Sequence, residues 1–270
     1  MLREDLFSQH KKFISEIEHQ LCSTVEAECS RFPSAYKLLK RFRVSAENFL
    51  RNKPQARNEF REIHNELCVA VNIIASPDCI KLEYEPLLTN CAKKIDFHTT
   101  IGNGRSLWIE VKTIHPSEQD DWSKLEKMQK DARLPDNVRI FMDKNCLGGE
   151  LWHNAYAARA KMLEYAIEME DKITNCKINT EKEYCALAFF SDGFKWHVDE
   201  LQDFVAFYRI SVHRDDDPFR EMEKHFIQMN DLKLHRNINY FSFFCRSGTE
   251  VIPSSVVLDV KPPTIKRQHQ

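Results

Sequence analysis

The chain has 270 residues, 42% hydrophobic and 30% charged, with a formal net charge of −2. These values fit a soluble α/β domain with an appended part, the six glycines argue against a loop-rich or low-complexity chain, and the charge neither demands nor excludes a nucleic-acid partner. No apolar run approaches membrane-spanning length, and the charged start "MLREDLFSQHKKF" lacks the apolar centre of a signal segment. The nine cysteines are scattered without a C-x-x-C pair. Cys68 and Cys185 sit in apolar runs, where a thiol behaves as a small hydrophobe. The expectation is a cytoplasmic protein with reduced thiols and no membrane partner.

Leu6, Phe13, Ile17, Leu21 and Val25 recur at steps that predict an amphipathic helix over residues 2–30. Phe32-Pro33-Ser34 interrupts it, a second helix runs from Ala35 to Leu50, and Asn52-Lys53-Pro54 breaks the pattern again. A long helix follows over Gln55 to Ala75, with Phe60, Ile63, Leu67, Val71 and Ile74 on one stripe. After Ser76-Pro77-Asp78 the period changes to two: Ile80 to Tyr84 alternates as a strand, and Lys93 to Ile114, "KKIDFHTTIGNGRSLWIEVKTI", reads as a β-hairpin.

Pro116 to Asn145 is polar, a loop with a short helix. A strong helix is predicted over Leu151 to Asp171. Cys185 to Phe190 forms a buried strand. Shorter helices follow over Val198 to Tyr208 and after Asp217-Pro218, then late strands in "INYFSFFC" and "SSVVLDV". The order implies a mixed sheet with helices on its faces. The expected organisation is an N-terminal helical extension over 1–53, a main domain over 54–260 and a mobile basic tail over 261–270.

The hairpin carries the chemistry. Centring its turn on Asn103 pairs Ile95 with Val111, Phe97 with Ile109 and His98 with Trp108, and sets Asp96 opposite Glu110. A two-residue Asn103-Gly104 turn would pair Phe97 with Glu110 and mix apolar and charged residues on both faces, which a half-buried sheet penalises. In the first register Asp96, Glu110 and Lys112 share one face, and Lys94 meets Lys112. Directly opposed carboxylates are unfavourable. A divalent cation between them reverses that sign. The same alternation also suits a solvated strand. Upstream, Glu62 and Glu66 stand one helical turn apart on the predicted helix.

These residues resemble the P-D…(D/E)-x-K nuclease superfamily, whose restriction-endonuclease-like core runs helix, three strands, helix, strand. The signature falls on Asp96 and on Glu110-Val111-Lys112, with Glu66 as the helix acid that some members use; Ile95 stands where the family name has proline. The likeness spans Gln55 through Phe190. It implies a restriction-endonuclease-like mixed central sheet flanked by helices and a Mg²⁺- or Mn²⁺-dependent nuclease acting on nucleic acid, with DNA expected. Asp96, Glu110 and the backbone carbonyl of Val111 would hold the metal, Lys112 would orient the attacking water, and Glu66 would position a metal-bound water or second ion. Cleavage would leave a 5′-phosphate and a 3′-hydroxyl.

Lys37, Lys40, Arg41 and Arg43 form a basic cluster on the second helix that could contact phosphates or line a solvated face. His98 shares the Asp96 face, His115 lies beyond the strand, and Arg159 and Lys161 sit on the helix after the hairpin. Self-association is left open. The sequence lacks zinc-site, P-loop, dinucleotide and α/β-hydrolase motifs. The alternative from another class is a non-catalytic nucleic-acid-binding or scaffold protein with the same fold.

Overall fold

A computed structural model describes residues 3–51, 56–88, 91–102, 104–115, 149–192, 198–212, 220, 223–224, 227, 234–247 and 250–259. The chain is α/β, with a mixed sheet flanked by helices and an N-terminal helical part. Two compact units divide it: Met1–Thr113 with Asn175–Phe190, and Ile114–Thr174 with Ser191–Gln270.

In the first unit, helix α1 (Arg3–Ile17) passes through a π-helical turn (Glu18–Cys22) into α2 (Ser23–Glu28), followed by α3 (Ala35–Leu50) and α4 (Ala56–Ala75). The single N-terminal helix of the sequence pattern is thus widened once into a π-turn, where the Ser23 hydroxyl bonds back to the Glu18 carbonyl at 3.2 Å. An apolar stripe on each helix builds the core. Leu38, Leu39 and Phe42 of α3 and Phe60, Ile63 and Leu67 of α4 are all buried, with Phe42 and Phe60 rings 5.6 Å apart.

Strands β1 (Cys79–Tyr84), β2 (Phe97–Ile101), β3 (Ser106–Ile114) and β4 (Glu183–Asp192) follow and lie side by side in that order. β1 is an edge strand, and its open backbone groups need partners. The loop before α3 supplies them: the Ser34 hydroxyl donates to the Leu82 carbonyl at 2.7 Å and accepts from the Tyr84 amide at 3.1 Å. Arg31 donates to the Cys79 carbonyl at 2.5 Å. Ser34 therefore makes no side-chain cap on α3, because its oxygen serves the sheet.

The β2–β3 ladder is antiparallel, pairing Phe97 with Ile109, His98 with Trp108, Thr99 with Leu107 and Thr100 with Ser106. This is the register that the apolar residues select. The turn closes through Gly104, whose amide donates to the Ile101 carbonyl at 2.8 Å and whose φ of 76° suits glycine.

Between Tyr84 and Phe97 the chain narrows into a second, irregular hairpin. Leu87 and Lys94 form an isolated antiparallel bridge, and the Glu85 amide donates to the Asp96 carbonyl at 2.8 Å. Cys91, at its tip, is bonded to Cys176, next to the end of helix α5 (Gly149–Asn175). That bridge departs from the expectation of reduced thiols, although Cys22, Cys29, Cys68, Cys79 and Cys185 form no disulfide. Apolar context identified the buried thiols; it carries no signal for two cysteines 85 residues apart.

The second unit contains most of α5, with α6 (Val198–Ile210), β5 (Tyr240–Ser247) and β6 (Glu250–Asp259). β5 and β6 are antiparallel. Tyr208 and Phe204 pack their rings on Phe241 at 4.9 and 5.2 Å. Buried Glu170 accepts bonds from the Tyr208 hydroxyl and from the Asn237 amide, the latter at 2.9 Å. Arg159 forms a bidentate pair with Glu223 at 2.8 and 2.9 Å. That pairing gives Arg159 a structural partner in its own unit. Of the helix expected after Asp217-Pro218, residues 220, 223, 224 and 227 are helical. The short helix expected within Pro116 to Asn145 and the tail over 261–270 lie outside the described residues.

The disulfide closes a loop of 85 residues, so it should restrict the unfolded chain substantially. Cys176→Ser is expected to lower unfolding free energy by about 2–4 kcal/mol, measured by urea denaturation without reductant. Equal midpoints for the variant and the oxidised wild type would show that the bridge does not form in solution.

Candidate metal and phosphate site

The β2–β3 ladder ends at Phe97 and Ile109, and Asp96 sits one residue beyond it in a bend. The sequence reading placed Asp96 within the ladder, squarely opposite Glu110. Instead its carboxylate folds onto β3, where Oδ2 accepts the Val111 amide at 2.7 Å. Ile95 and Phe97 on either side are fully buried; they anchor the backbone that presents the acid.

Glu110 is 4% exposed, far from the solvated face that the bland reading of the alternation requires. Lys112 Nζ lies 3.1 Å from Glu110 Oε1. Lys94 turns the other way and reaches Glu85 Oε2 at 3.6 Å, so the two lysines splay apart.

Burial, followed by the neighbouring Glu110 and Glu66 carboxylates, pushes the Asp96 carboxyl well above the usual range. The Val111 amide and Lys112 pull it back only in part. Asp96, Glu110, Lys112 and Glu66 therefore share one electrostatic neighbourhood. Of the two helix acids, Glu62 is exposed. Glu66 is the one turned to the sheet, where its Oε2 accepts the Tyr84 hydroxyl at 2.5 Å.

Behind these acids lies a polar network. Arg41 of α3 stands 3.7 Å from Glu66 Oε2 and 2.8 Å from Glu85 Oε1, and it donates to the Tyr84 hydroxyl. Lys37 reaches Glu85 Oε2 at 2.5 Å. Burial pushes the Glu66 carboxyl up, while the Tyr84 bond and Arg41 oppose the shift. For Glu85, burial raises the carboxyl, but Lys37, Arg41 and Lys94 together hold it below the usual range. Glu85 also has a φ of 46°. A left-handed non-glycine residue costs on the order of 1–3 kcal/mol, which the three cations and the Glu85 amide bond to Asp96 help offset.

The basic cluster on α3 is thus engaged within the fold. Arg43 pairs with Glu26 at 2.5 Å and Glu18 at 3.8 Å, and Lys40 lies over the Tyr36 ring at 4.7 Å. On β2, His98 stacks on Trp108 with ring centroids 4.0 Å apart, and its Nδ1 is 2.9 Å from Glu83 Oε2. The sequence reading did not single out Tyr84 or Glu85. Tyr84 carried a faint signal, since β1 alternation turns Leu82 and Tyr84 to the same face. The Glu85-Pro86 step carried a misleading one, because a residue before proline normally stays extended.

The carboxylates of Glu110 and Glu66 that act on Asp96 offer oxygen, the donor that hard divalent cations prefer. Among the described residues, no three His, Cys, Asp or Glu side chains gather closely enough to bind a metal by themselves. Any cation here would rest on two carboxylates plus backbone oxygen, water and phosphate. No helix of the described residues is long and apolar enough to cross a membrane. Compared with protein-family models, curated proteins and solved structures, the chain matches none.

The raised Asp96 carboxyl has a thermodynamic consequence. Folding favours its protonated form, so metal-free stability should fall as pH rises from the ordinary aspartate range through the raised folded value. Asp96→Asn keeps an oxygen for the Val111 amide and removes the charge. The variant is expected to melt several degrees higher than metal-free wild type at neutral pH and to lose that pH-dependent decline in a melting series. A variant that melts lower at every pH would show that the Asp96 charge is stabilising.

Proposed function

We propose that the chain is a metal-dependent nuclease that hydrolyses phosphodiester bonds, with DNA as substrate and a restriction-endonuclease-like arrangement of its sheet. The observation that carries this reading is the Asp96 carboxylate turned onto β3 in the electrostatic reach of buried Glu110, a charge arrangement unfavourable by itself and favourable around a cation. Asp96, Glu110 and the Val111 carbonyl would hold Mg²⁺ or Mn²⁺. When bound, that ion supplies charge to polarise the scissile phosphate and to acidify a coordinated water.

The chain's own residues do the rest. Lys112 exchanges its contact with Glu110 for the attacking water and the phosphate oxygen on which charge develops. Among the described residues, the Tyr84 and Arg41 contacts of Glu66 fall on Oε2, so Oε1 can accept a hydrogen bond from a water beside Asp96. Water adds to phosphorus as the bond to the 3′-oxygen breaks, leaving a 5′-phosphate and a 3′-hydroxyl. Phosphate contacts by Lys37, Lys40, Arg41 and Arg43 would require these side chains to leave their present partners.

A second reading is a non-catalytic nucleic-acid-binding or scaffold protein. The Lys112–Glu110 contact at 3.1 Å favours it, because the lysine already neutralises one acid.

The test is a cleavage panel of single- and double-stranded DNA and RNA with Mg²⁺ or Mn²⁺. Lys112→Ala is expected to lower the cleavage rate by about 10²–10³-fold, with the circular dichroism spectrum of the folded protein retained. Full activity in a folded Lys112→Ala preparation would refute the assignment; no cleavage of any substrate by wild type would favour the scaffold.

A further inference from the structure

We propose that Arg41 is a positioning residue of this site: together with Tyr84 and Glu85 it fixes Glu66 and Asp96 relative to each other, rather than binding nucleic-acid phosphate. The inference rests on the nuclease reading above and deepens it, because it makes helix α3 part of the machinery.

The geometry is specific. One guanidinium nitrogen, Nη1, serves Glu66 Oε2 at 3.7 Å, Glu85 Oε1 at 2.8 Å and the Tyr84 hydroxyl. The Tyr84 hydroxyl in turn donates to the same Glu66 oxygen at 2.5 Å. The guanidinium carbon lies 5.7 Å from the centre of the Tyr84 ring, so charge and packing hold one orientation. Through Glu85 the same cation reaches the second acid: the Glu85 amide donates to the Asp96 carbonyl, and Glu85 keeps its left-handed backbone while its carboxylate is gripped by Arg41, Lys37 and Lys94.

Arg41 thus links the side chain of one candidate acid to the backbone of the other across three elements, α3, α4 and the turn after β1. A phosphate contact would draw its charge away from both. Outer groups of this kind tune a metal site by orienting its ligands.

The experiment uses the full chain and the variants Arg41→Ala, Arg41→Lys and Tyr84→Phe. Arg51→Ala serves as a control at the C-cap of the same helix, since Arg51 is exposed and its ion-pair partner among the described residues is Glu47. Three quantities are read: kcat and KM for Mg²⁺-supported DNA cleavage, Mn²⁺ affinity without DNA by electron paramagnetic resonance, and DNA affinity without metal by fluorescence anisotropy.

Arg41→Ala is expected to lower kcat or Mn²⁺ affinity by about 10–100-fold, with KM and DNA affinity within about twofold of wild type. Arg41→Lys should regain part of the loss, and Arg51→Ala should match wild type. If Arg41→Ala fails to fold, Tyr84→Phe carries the test, because it keeps the ring, removes the hydroxyl that joins Arg41 to Glu66 and should move kcat in the same direction.

A loss of DNA affinity with kcat and Mn²⁺ binding intact would make Arg41 a phosphate contact and overturn the proposal alone. So would unchanged kcat and Mn²⁺ affinity in folded Arg41→Ala. A wild type that neither binds Mn²⁺ nor cleaves would overturn the nuclease reading and this proposal together.

Discussion

The Val111 amide donates to Asp96 Oδ2 at 2.7 Å, and the candidate site depends on that bond. It turns the carboxylate of a residue lying outside the β2–β3 ladder inward, against a strand that carries buried Glu110. The apolar pairs Phe97–Ile109 and Tyr84–Phe97 hold the strands in register beneath it. A one-residue slip would exchange the faces of β3, exposing Ile109 and Val111 and dispersing the acids. The same apolar packing that stabilises the sheet therefore concentrates negative charge at one end of it, and Lys112 compensates only part of that charge.

The N-terminal helices are built into this arrangement. Ser34 and Arg31 satisfy backbone groups on the open edge of β1, and Arg41 reaches from α3 to the acids of α4 and of the turn after β1. Asn65 of α4 adds a buried bond to Thr113 of β3 at 2.7 Å. Helix and strand are thus tied on both sides of Glu66 by partners that tolerate little displacement, as buried polar networks do when their members bond one another.

What could be read from the sequence followed periodicity. The change from a 3.6- to a 2-residue repeat at Ile80, the hairpin register and the joint placement of Asp96, Glu110 and Lys112 all rest on apolar residues that must be buried. The choice between Glu62 and Glu66 could not be read, because one helical turn separates them and only packing against Tyr84 distinguishes their faces. Arg41 looked like one more cation in a basic run; its partners Glu66 and Glu85 are 25 and 44 residues away and become neighbours only through the fold. The Cys91–Cys176 bond and the left-handed Glu85 were hidden for the same reason, since both are imposed by tertiary contacts that override local preference.

Whether a cation balances the charge of Asp96 and Glu110 is read from diffraction of Mn²⁺-soaked crystals. An anomalous peak is expected within coordination distance of both carboxylates, about 2.0–2.3 Å from each nearest oxygen, with Lys112 moved off Glu110. Lys112 bridging both acids, with no anomalous peak at saturating Mn²⁺, would contradict that expectation.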